Sequence, residues 1–503
     1  MRSQGNSQVC AFVSQRTVFA NSVRPATLVV SNEKIREILY DVGEDVVRRL
    51  SEKYLGIQFY DYGSLVLMPG IIDSHVHVNE PGRTEWEGFH TATQAAAAGG
   101  VTTIVDMPLN SIPPTTTLDN LKVKAREAYS KVFIDVAFWG GVIPGNQHNL
   151  RALVDAGVVG FKCFLCQGGD DQFPHVSVDD VEKALKELLP TKTVLAFHAE
   201  YGQNEKTNPT DDPNVYDTFL HSRPDRLELD AIKLVCDWCT KYNFRCHIVH
   251  LSSAECLALI KDAKARGASL TVETCHHYLV LSAEEIPKGA TEFKCCPPIR
   301  SKSNREQLWQ GIKSGTLDMI VSDHSPCVPE MKAGNFLTAW AGISELQFGL
   351  SLTWTAARMR DVSFSDISKL LSTNVAKMCG LEDRKGNLSE GMDADFVIWN
   401  PEETIKMKFY IIILAVSFLA GVILAYPQKD GQIFSNEAIR QAQNTYLIPK
   451  DATIQKVQEG IELAAYESIP GDQRINLFEI LGEHVPPEVV NNLQTQIDQI
   501  GRN

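Results

Sequence analysis

Short apolar runs alternate with amphipathic stretches from residue 65 to about residue 380 of the chain. Eight of these runs have the length of β-strands and recur at fairly even spacing. They cover residues 70–73, 102–106, 134–138, 160–164, 193–197, 245–250, 270–274 and 319–322. Between several of them lie segments with helical periodicity, such as 227–242 and 253–266. This alternation predicts an α/β fold, a (β/α)8 TIM-type barrel.

A smaller domain is predicted from the two flanks of this region. Residues 9–13, 17–20 and 27–31 are β-rich runs separated by turn-forming residues. After the barrel, residues 389–400 contain the letters GMDADFVIW and predict a strand that returns to the same domain. We therefore expect a small β-sandwich domain built from residues 1–67 and 386–405, beside a barrel spanning residues 68–385.

The pattern changes abruptly after Ile405. Lys406, Met407 and Lys408 precede an uncharged apolar run at residues 409–426. Three interpretations stay open: a signal-peptide-like segment (407–425) with Ala425 near its cleavage site, a transmembrane helix, or a buried core helix. Residues 426–503 are polar, acidic and helically spaced, which indicates a small helical segment or a tail. Because a signal-like segment begins at Met407, two residues after the preceding pattern stops, we hypothesise that two coding regions are joined and that the β domain is cut short.

The charge balance excludes some classes of partner. The net charge is −14 and no lysine- or arginine-rich run occurs, which argues against nucleic acid and anionic membranes. Membrane contact is expected only if residues 409–426 span one. All twelve cysteines lie between Cys10 and Cys379, scattered as reduced thiols would be. We expect a cytoplasmic protein, with the peroxisome or mitochondrion as alternatives.

The stretch MPGIIDSHVHVNEPG, residues 68–82, carries the strongest chemical signal. His75 and His77 are two residues apart at the end of a predicted strand, so both imidazoles point to one face. Active sites of barrel enzymes lie at the carboxyl ends of the strands. Two histidines facing the same way at that position suit a divalent metal ion.

Other polar residues occupy the ends of further predicted strands. Lys162 interrupts the apolar letters GFKCF, and burying a lysine is costly unless it is paired or chemically changed. His198 and His250 each close an apolar run, and Asp323 follows residues 319–321. Each residue alone is a weak signal, but the set shares one position in the fold. By contrast, the Cys163/Cys166 and Cys236/Cys239 pairs lack a second matching pair and indicate structural thiols.

This set resembles the cyclic amidohydrolases of the binuclear-metal amidohydrolase superfamily, and within them the allantoinases, over residues 8–405. The resemblance implies that His75, His77, Lys162 and Asp323 bind one metal ion. It implies that Lys162, carboxylated by carbon dioxide, His198 and His250 bind a second. Zinc is expected, and manganese, iron or cobalt are compatible. All six positions hold the expected residue type, unlike non-enzymatic relatives of this fold.

Three departures from sister families favour allantoin as the substrate. Asn79 occupies the position of the arginine with which dihydroorotase-like enzymes bind a substrate carboxylate. No tyrosine occurs at residues 163–169, whereas hydantoinase-like enzymes have one a few residues after the corresponding lysine. The stretches ETCHHYL, KCCPPIR and AWAGIS resemble allantoinases. The alternatives are a dihydropyrimidinase- or hydantoinase-type hydrolase and a non-catalytic fused chain.

The resemblance also implies a mechanism and an assembly. A hydroxide bridging the metal ions attacks the ring carbonyl carbon, and Asp323 serves as general base in forming allantoate, a step of purine catabolism. Asn79, the Cys296 backbone and Gly342 are expected to contact the substrate. His276 or His277 has either a supporting or a packing role. A homotetramer is expected.

Overall fold

The computed structural model describes residues 9–403, with the exception of residues 169 and 209. The predicted signal-like or transmembrane segment (407–425 or 409–426) and the segment 426–503 lie outside the described residues. Within the described ranges, no helix combines the length and the apolar character that crossing a membrane requires.

The N-terminal region folds as a mixed β-sheet with one helix on it. Its elements are β1 (Cys10–Phe19), β2 (Ser22–Ser31), β3 (Lys34–Leu39), α1 (Glu44–Lys53), β4 (Gln58–Asp61) and β5 (Val66–Pro69). β1 is one long strand rather than two short ones. A bulge between Ser14 and Thr17 lets its first half pair with β4 and its second half with β5.

Helix α1 was not expected from the β-rich pattern of this region. Its letters EDVVRRLSEK place Val46 and Leu50 on one face, four residues apart. These two side chains are buried against Ala11, Val29 and Leu39 of the sheet. The helix therefore covers one face of the sheet and removes its apolar side chains from water.

The barrel strands follow in chain order and run parallel. They are β6 (Ile71–Val76), β7 (Val101–Asp106), β8 (Asp135–Phe138), β9 (Gly140–Gly141), β10 (Phe161–Phe164), β11 (Leu195–His198), β12 (Cys246–Ile248), β13 (Leu270–Cys275) and β14 (Met319–Val321). Hydrogen bonds join β6 to β8 in one run and β9 to β14 in another.

Two seams close these runs into a ring. At one seam, Val76 of β6 forms a parallel bridge with His324, just after β14. At the other, only Trp139 separates β8 from β9, and the Gly140 amide donates to the Gly160 carbonyl at 2.9 Å. β8 and β9 together thus count as one of the eight barrel strands. The (β/α)8 barrel predicted from the sequence is confirmed.

Helices surround the strands and bury their apolar faces. They are α2 (Phe89–Ala98), α3 (Leu118–Ala128), α4 (Leu150–Asp155), α5 (Val178–Leu188), α6 (Tyr216–Ser222), α7 (Asp225–Tyr242), α8 (Leu257–Ala265), α9 (His276–Val280), α10 (Lys302–Lys313), α11 (Gly349–Ala357), α12 (Phe364–Ser368) and α13 (Asn374–Cys379). The predicted helix 227–242 corresponds to α7. The predicted helix 253–266 begins with a 3-10 turn, Ala254–Cys256, before α8.

The chain then returns to the N-terminal sheet through β15 (Phe396–Trp399), which pairs antiparallel with β5. The sheet order in the described residues is β15-β5-β1-β2-β3, with β4 also beside β1. Within the described residues, the small domain predicted beside the barrel is one mixed sheet with α1 packed on it. Trp399 contacts Trp354 and Phe364, with ring centroids 5.6 and 5.8 Å away. These three rings, the joint cluster, connect β15 to helices of the barrel.

A buried ion pair anchors helix α3 beneath the end of β7. Lys124 Nζ lies 2.6 Å from Asp106 Oδ2, and both side chains are 1% exposed. Lys124 also donates to the Met107 carbonyl at 3.0 Å, and Asp106 Oδ1 accepts from the Val78 amide at 2.9 Å. The pair therefore ties α3, β7 and the segment after β6 together.

We expect Lys124→Met to lower the free energy of unfolding by about 3–5 kcal/mol, because it leaves the Asp106 carboxylate buried without its cation. Chemical denaturation measures this. Lys122→Met on the same helix is the matched control, since Lys122 pairs with Asp119 at the exposed surface and its loss should change stability little. Equal effects of the two substitutions would contradict the role of the buried pair.

Candidate metal centre

A cavity of about 1010 Å³ opens at the carboxyl ends of the barrel strands. The six residues predicted as metal ligands all line it: His75, His77, Lys162, His198, His250 and Asp323. They come from five strands or the residues directly after them. The parallel barrel is what brings these distant sequence positions together, because all strands end at the same rim.

Two of these residues sit in the left-handed backbone region. His250 has a φ of 39° and Asp323 a φ of 46°, each two residues past the end of its strand. Non-glycine residues adopt this conformation at a cost of about 1 kcal/mol or more. The His250 amide is held by a hydrogen bond to Glu273 Oε1 at 3.2 Å. The turns at these strand ends are therefore fixed by surrounding contacts, and each site side chain faces the cavity.

His75, His77, His250 and Asp323 form the first cluster of ligand atoms. Asp323 Oδ1 lies 3.1 Å from His75 Nε2 and 3.4 Å from His77 Nε2. Ligand atoms of His75, His250 and Asp323 all lie within 4.8 Å of one another. Burial opposes ionisation of Asp323, but the two neighbouring histidines hold the pKa of Asp323 well below its ordinary value. Burial lowers the pKa of His77 to about 4, so neutral imidazole is available there.

Glu273, a residue of β13 not singled out in the sequence, braces this cluster. Its carboxylate accepts from His75 Nδ1 and from His247 Nε2, at 3.0 Å in the second case. Although burial opposes ionisation, these histidines lower the pKa of Glu273 to about 2. With His75 Nδ1 occupied, Nε2 is the ring nitrogen that faces Asp323 and the cavity. The signal was present in the sequence as a charged residue inside an apolar strand, as at Lys162.

His198 belongs to a second cluster on another wall of the cavity. Its Nε2 lies 2.7 Å from Glu200 Oε2, and its ring stacks on Phe164 with centroids 4.5 Å apart. Ligand atoms of Cys166, His198 and Glu200 lie within 4.8 Å of one another. Glu200 in turn accepts from Arg223 Nε at 3.0 Å and Nη2 at 2.5 Å. A buried carboxylate therefore orients His198 much as Glu273 orients His75.

Lys162 lies in β10 with 1% of its surface exposed. Among the described residues, no carboxylate lies within ion-pair distance of its Nζ, and the ring centroid of Phe164 is 5.3 Å away. Burial lowers the pKa of Lys162 to about 8. A larger fraction of this amine is therefore neutral near physiological pH than of an ordinary lysine, and only the neutral amine reacts with carbon dioxide.

The three predicted substrate contacts occupy different environments. Cys296 and Gly342 line the cavity, whereas Asn79 is buried and its Nδ2 donates to the Pro326 carbonyl at 3.1 Å. Gly342 has a φ of 145°, and a Cβ atom there would lie 2.2 Å from the Ser325 carbonyl oxygen. Its amide already donates to the Lys294 carbonyl at 2.8 Å. Close backbone packing thus accounts for glycine at position 342.

His276 and His277 begin α9, outside the residues that line the cavity. His276 Nδ1 lies 2.6 Å from Thr353 Oγ1, and His277 Nδ1 lies 2.9 Å from Glu345 Oε1.

Asn110, in contrast, lines the cavity and its Nδ2 lies 3.3 Å from His77 Nδ1. No sequence signal that we used distinguished Asn110, because it follows β7 in a loop rich in polar residues. The cysteines of the two C-x-x-C pairs are free thiols.

The residues present suit divalent cations. His250 Nδ1 is buried and has no hydrogen-bond partner among the described residues, and His75 Nε2 is buried with only the ion-pair contact to Asp323 Oδ1. Such orphaned nitrogens are costly unless something binds them. Imidazole nitrogens together with one carboxylate form a donor set typical of zinc and similar ions.

Comparisons with known proteins agree with this donor set. Residues 66–433 match the model of the amidohydrolase family. A mitochondrial allantoinase of Aquarana catesbeiana is 53% identical over 378 residues, covering 75% of this chain and 76% of that protein. An allantoinase of Streptomyces avermitilis is 46% identical, covering 78% and 86%. The structure of L-hydantoinase (dihydropyrimidinase) from Arthrobacter aurescens has a TM-score of 0.69 at 25% identity and covers 78% and 86%.

We expect Glu273→Gln to weaken retention of divalent metal about 10- to 100-fold, because the carboxylate that orients His75 would be lost. Metal content after titration with a chelator measures this. Glu345→Gln is the matched control, since Glu345 pairs with His277 away from the cavity lining. Unchanged retention in Glu273→Gln, or the same loss in both variants, would contradict the bracing role.

Proposed function

Because this chain belongs to the amidohydrolase family, we propose that it hydrolyses the cyclic amide of allantoin to give allantoate. The observation that carries the proposal is that six residues of the expected types line one cavity at the rim of the barrel. Substantial identity to allantoinases of a frog and a bacterium supports the choice of substrate. The absence of a tyrosine at residues 163–169 favours allantoin over the substrates of the hydantoinase alternative, and Asn79 distinguishes the chain from dihydroorotase-like enzymes.

Two divalent ions, in the manner general for this family, are part of the proposal. His75, His77, Lys162 and Asp323 would hold one ion. Lys162, His198 and His250 would hold the other, with Lys162 bridging both as its carbamate. The carbamate forms when the neutral amine attacks carbon dioxide and releases one proton. Zinc fits the histidine-rich donor set, and manganese, iron or cobalt fit as well.

The chain's own residues would then carry the proton transfers. When bound, the metal ions would lower the pKa of a shared water and polarise the ring carbonyl. Asp323, kept ionised by His75 and His77, accepts the proton of the attacking water as its oxygen bonds to the ring carbonyl carbon. Asp323 then delivers that proton to the ring nitrogen as the C–N bond breaks. The products of the ring opening are a carboxylate and a second ureido group.

The substrate is tested with the full chain, produced with bicarbonate and zinc or manganese. We expect turnover of allantoin to exceed that of dihydrouracil and dihydroorotate. Asp323→Asn should lower kcat about 10²- to 10⁴-fold, because the amide cannot accept the proton. Preference for dihydrouracil would overturn the substrate in favour of the dihydropyrimidinase alternative. No turnover of any of the three cyclic amides would favour the non-catalytic alternative.

Carboxylation of Lys162 has its own test. Lys162→Ala should lose activity and the bridged metal pair, because methyl replaces the bridging group. Added short-chain carboxylates, which offer the same two oxygens, should restore part of both. Activity assays and metal analysis in parallel measure this. Rescue by acetate or propionate supports the carbamate, whereas full activity of Lys162→Ala without them would refute it.

We also propose a homotetramer in the cytoplasm, with the peroxisome or mitochondrion as alternative compartments. The proposed substrate is a small molecule.

A further inference from the structure

Two cationic side chains occupy one wall of the cavity, and the proposed chemistry at the metal centre uses neither. Lys294 is 7% exposed and Arg223 is 9% exposed, and both line the cavity. They lie close to Phe219, four residues before Arg223, whose ring centroid is 5.3 Å from Lys294 Nζ. Burial lowers the pKa of Lys294, and the nearby charges of Lys332 and Arg223 lower it further, while Cys296 opposes the shift. We call Lys294 and Arg223 together the donor wall.

Lys294 is the unusual member because it has no counterion. Among the described residues, no carboxylate lies within ion-pair distance of its Nζ, which donates to the Ala339 carbonyl at 2.5 Å. An ammonium carries three N–H donors, so this one bond leaves two. Burying a charge without a carboxylate partner is costly. Such a group at a cavity surface is therefore stabilised by a ligand that brings an acceptor oxygen.

Arg223 adds a second donor beside it. Its Nε and Nη2 donate to Glu200, and the Cys166 thiol is a further partner. A guanidinium has five N–H donors, so these contacts do not use all of them. The same Glu200 carboxylate lies 2.7 Å from His198. The donor wall is therefore separated from the candidate metal ligands by one carboxylate. A substrate ring at the metal centre would present a substituent to this wall.

We propose that Lys294 and Arg223 form the subsite that binds the exocyclic ureido arm of the substrate, by donating to its carbonyl oxygen. This inference rests on the proposed function. A ureido group has one strong acceptor oxygen and several N–H donors. Lys294 and Arg223 supply the donors for the oxygen, and the Ala339 carbonyl can accept from an arm N–H. The subsite thus distinguishes allantoin from hydantoin, which has the same ring and no arm.

The experiment compares two ligands, with and without the ureido arm, on wild type and on a variant of the full-length metal-loaded protein. For wild type and Lys294→Met, we would measure kcat/KM for allantoin and the inhibition constant of hydantoin as a competitive ligand. Methionine keeps the apolar stem and removes the donors. We expect kcat/KM for allantoin to fall about 10- to 100-fold, while the inhibition constant of hydantoin changes less than about threefold. Arg223→Lys keeps a cation beside Glu200. It should also lower kcat/KM for allantoin more than it changes the inhibition constant of hydantoin, but by a smaller factor than Lys294→Met.

Lys332→Met is the matched control. Lys332 donates to the carbonyls of Trp340 and Gly342 but does not line the cavity. We expect Lys332→Met to change kcat/KM for allantoin and the inhibition constant of hydantoin by similar factors. Equal losses for both ligands in Lys294→Met, or unchanged allantoin kinetics, would overturn the subsite. A weakened inhibition by allantoate with unchanged allantoin kinetics would also overturn it, in favour of a product carboxylate site. Wild-type protein that leaves allantoin untouched would instead refute the proposed function.

Discussion

The buried carboxylate of Glu273 is the contact on which the geometry of the candidate metal centre depends. It accepts hydrogen bonds from His75 in β6, from His247 in β12 and from the backbone amide of His250. A buried carboxylate is stable only when donors surround it, and these donors come from two other barrel strands, β6 and β12, and from the turn after β12. Satisfying one acid therefore fixes the ring of His75 and the turn at His250 together, before any ion binds.

A second buried carboxylate repeats this arrangement with different partners. Glu200 orients His198 and is itself neutralised by Arg223. One carboxylate thus serves the metal-binding side and the side where Lys294 lies. Hydrogen bonds that already hold these polar groups limit their reorganisation when a ligand binds. In the proposed function, metal binding and substrate selection would therefore both depend on this single acid.

Much of this arrangement could be predicted from the sequence, because the barrel converts strand ends into a shared rim. The apolar runs located the eight barrel strands, and the polar residues predicted as ligands at the ends of these strands line the cavity. Boundaries differed by one or a few residues, as at β12, where His250 lies beyond the strand. Contacts between elements were harder. Glu273 and Lys294 matter through their partners, and no local pattern identifies those partners. Asn79 follows the histidine motif directly, yet its left-handed backbone (φ 66°) turns it toward Pro326.

The N-terminal sheet shows a different limit. Helix α1 has an amphipathic pattern that a β-rich neighbourhood obscured, and β1 hides a bulge that only pairing with two partners reveals. Packing against Ala11 and Val29 holds the helix in place, whereas the bulge follows from the pairing of β1 with both β4 and β5. Both features depend on partners that lie elsewhere in the chain.

The joint cluster of Trp354, Phe364 and Trp399 has a consequence for the change of sequence pattern after Ile405. The Pro401 carbonyl accepts from Trp354 Nε1 at 3.0 Å, and Glu402 pairs with Arg16 at 2.6 Å. The chain is thus fastened to both domains a few residues before its character changes. A protease that cut beyond residue 405 would leave every one of these anchors in place. The contacts that fasten β15 and the segment after it to the barrel therefore all lie before the change of sequence pattern.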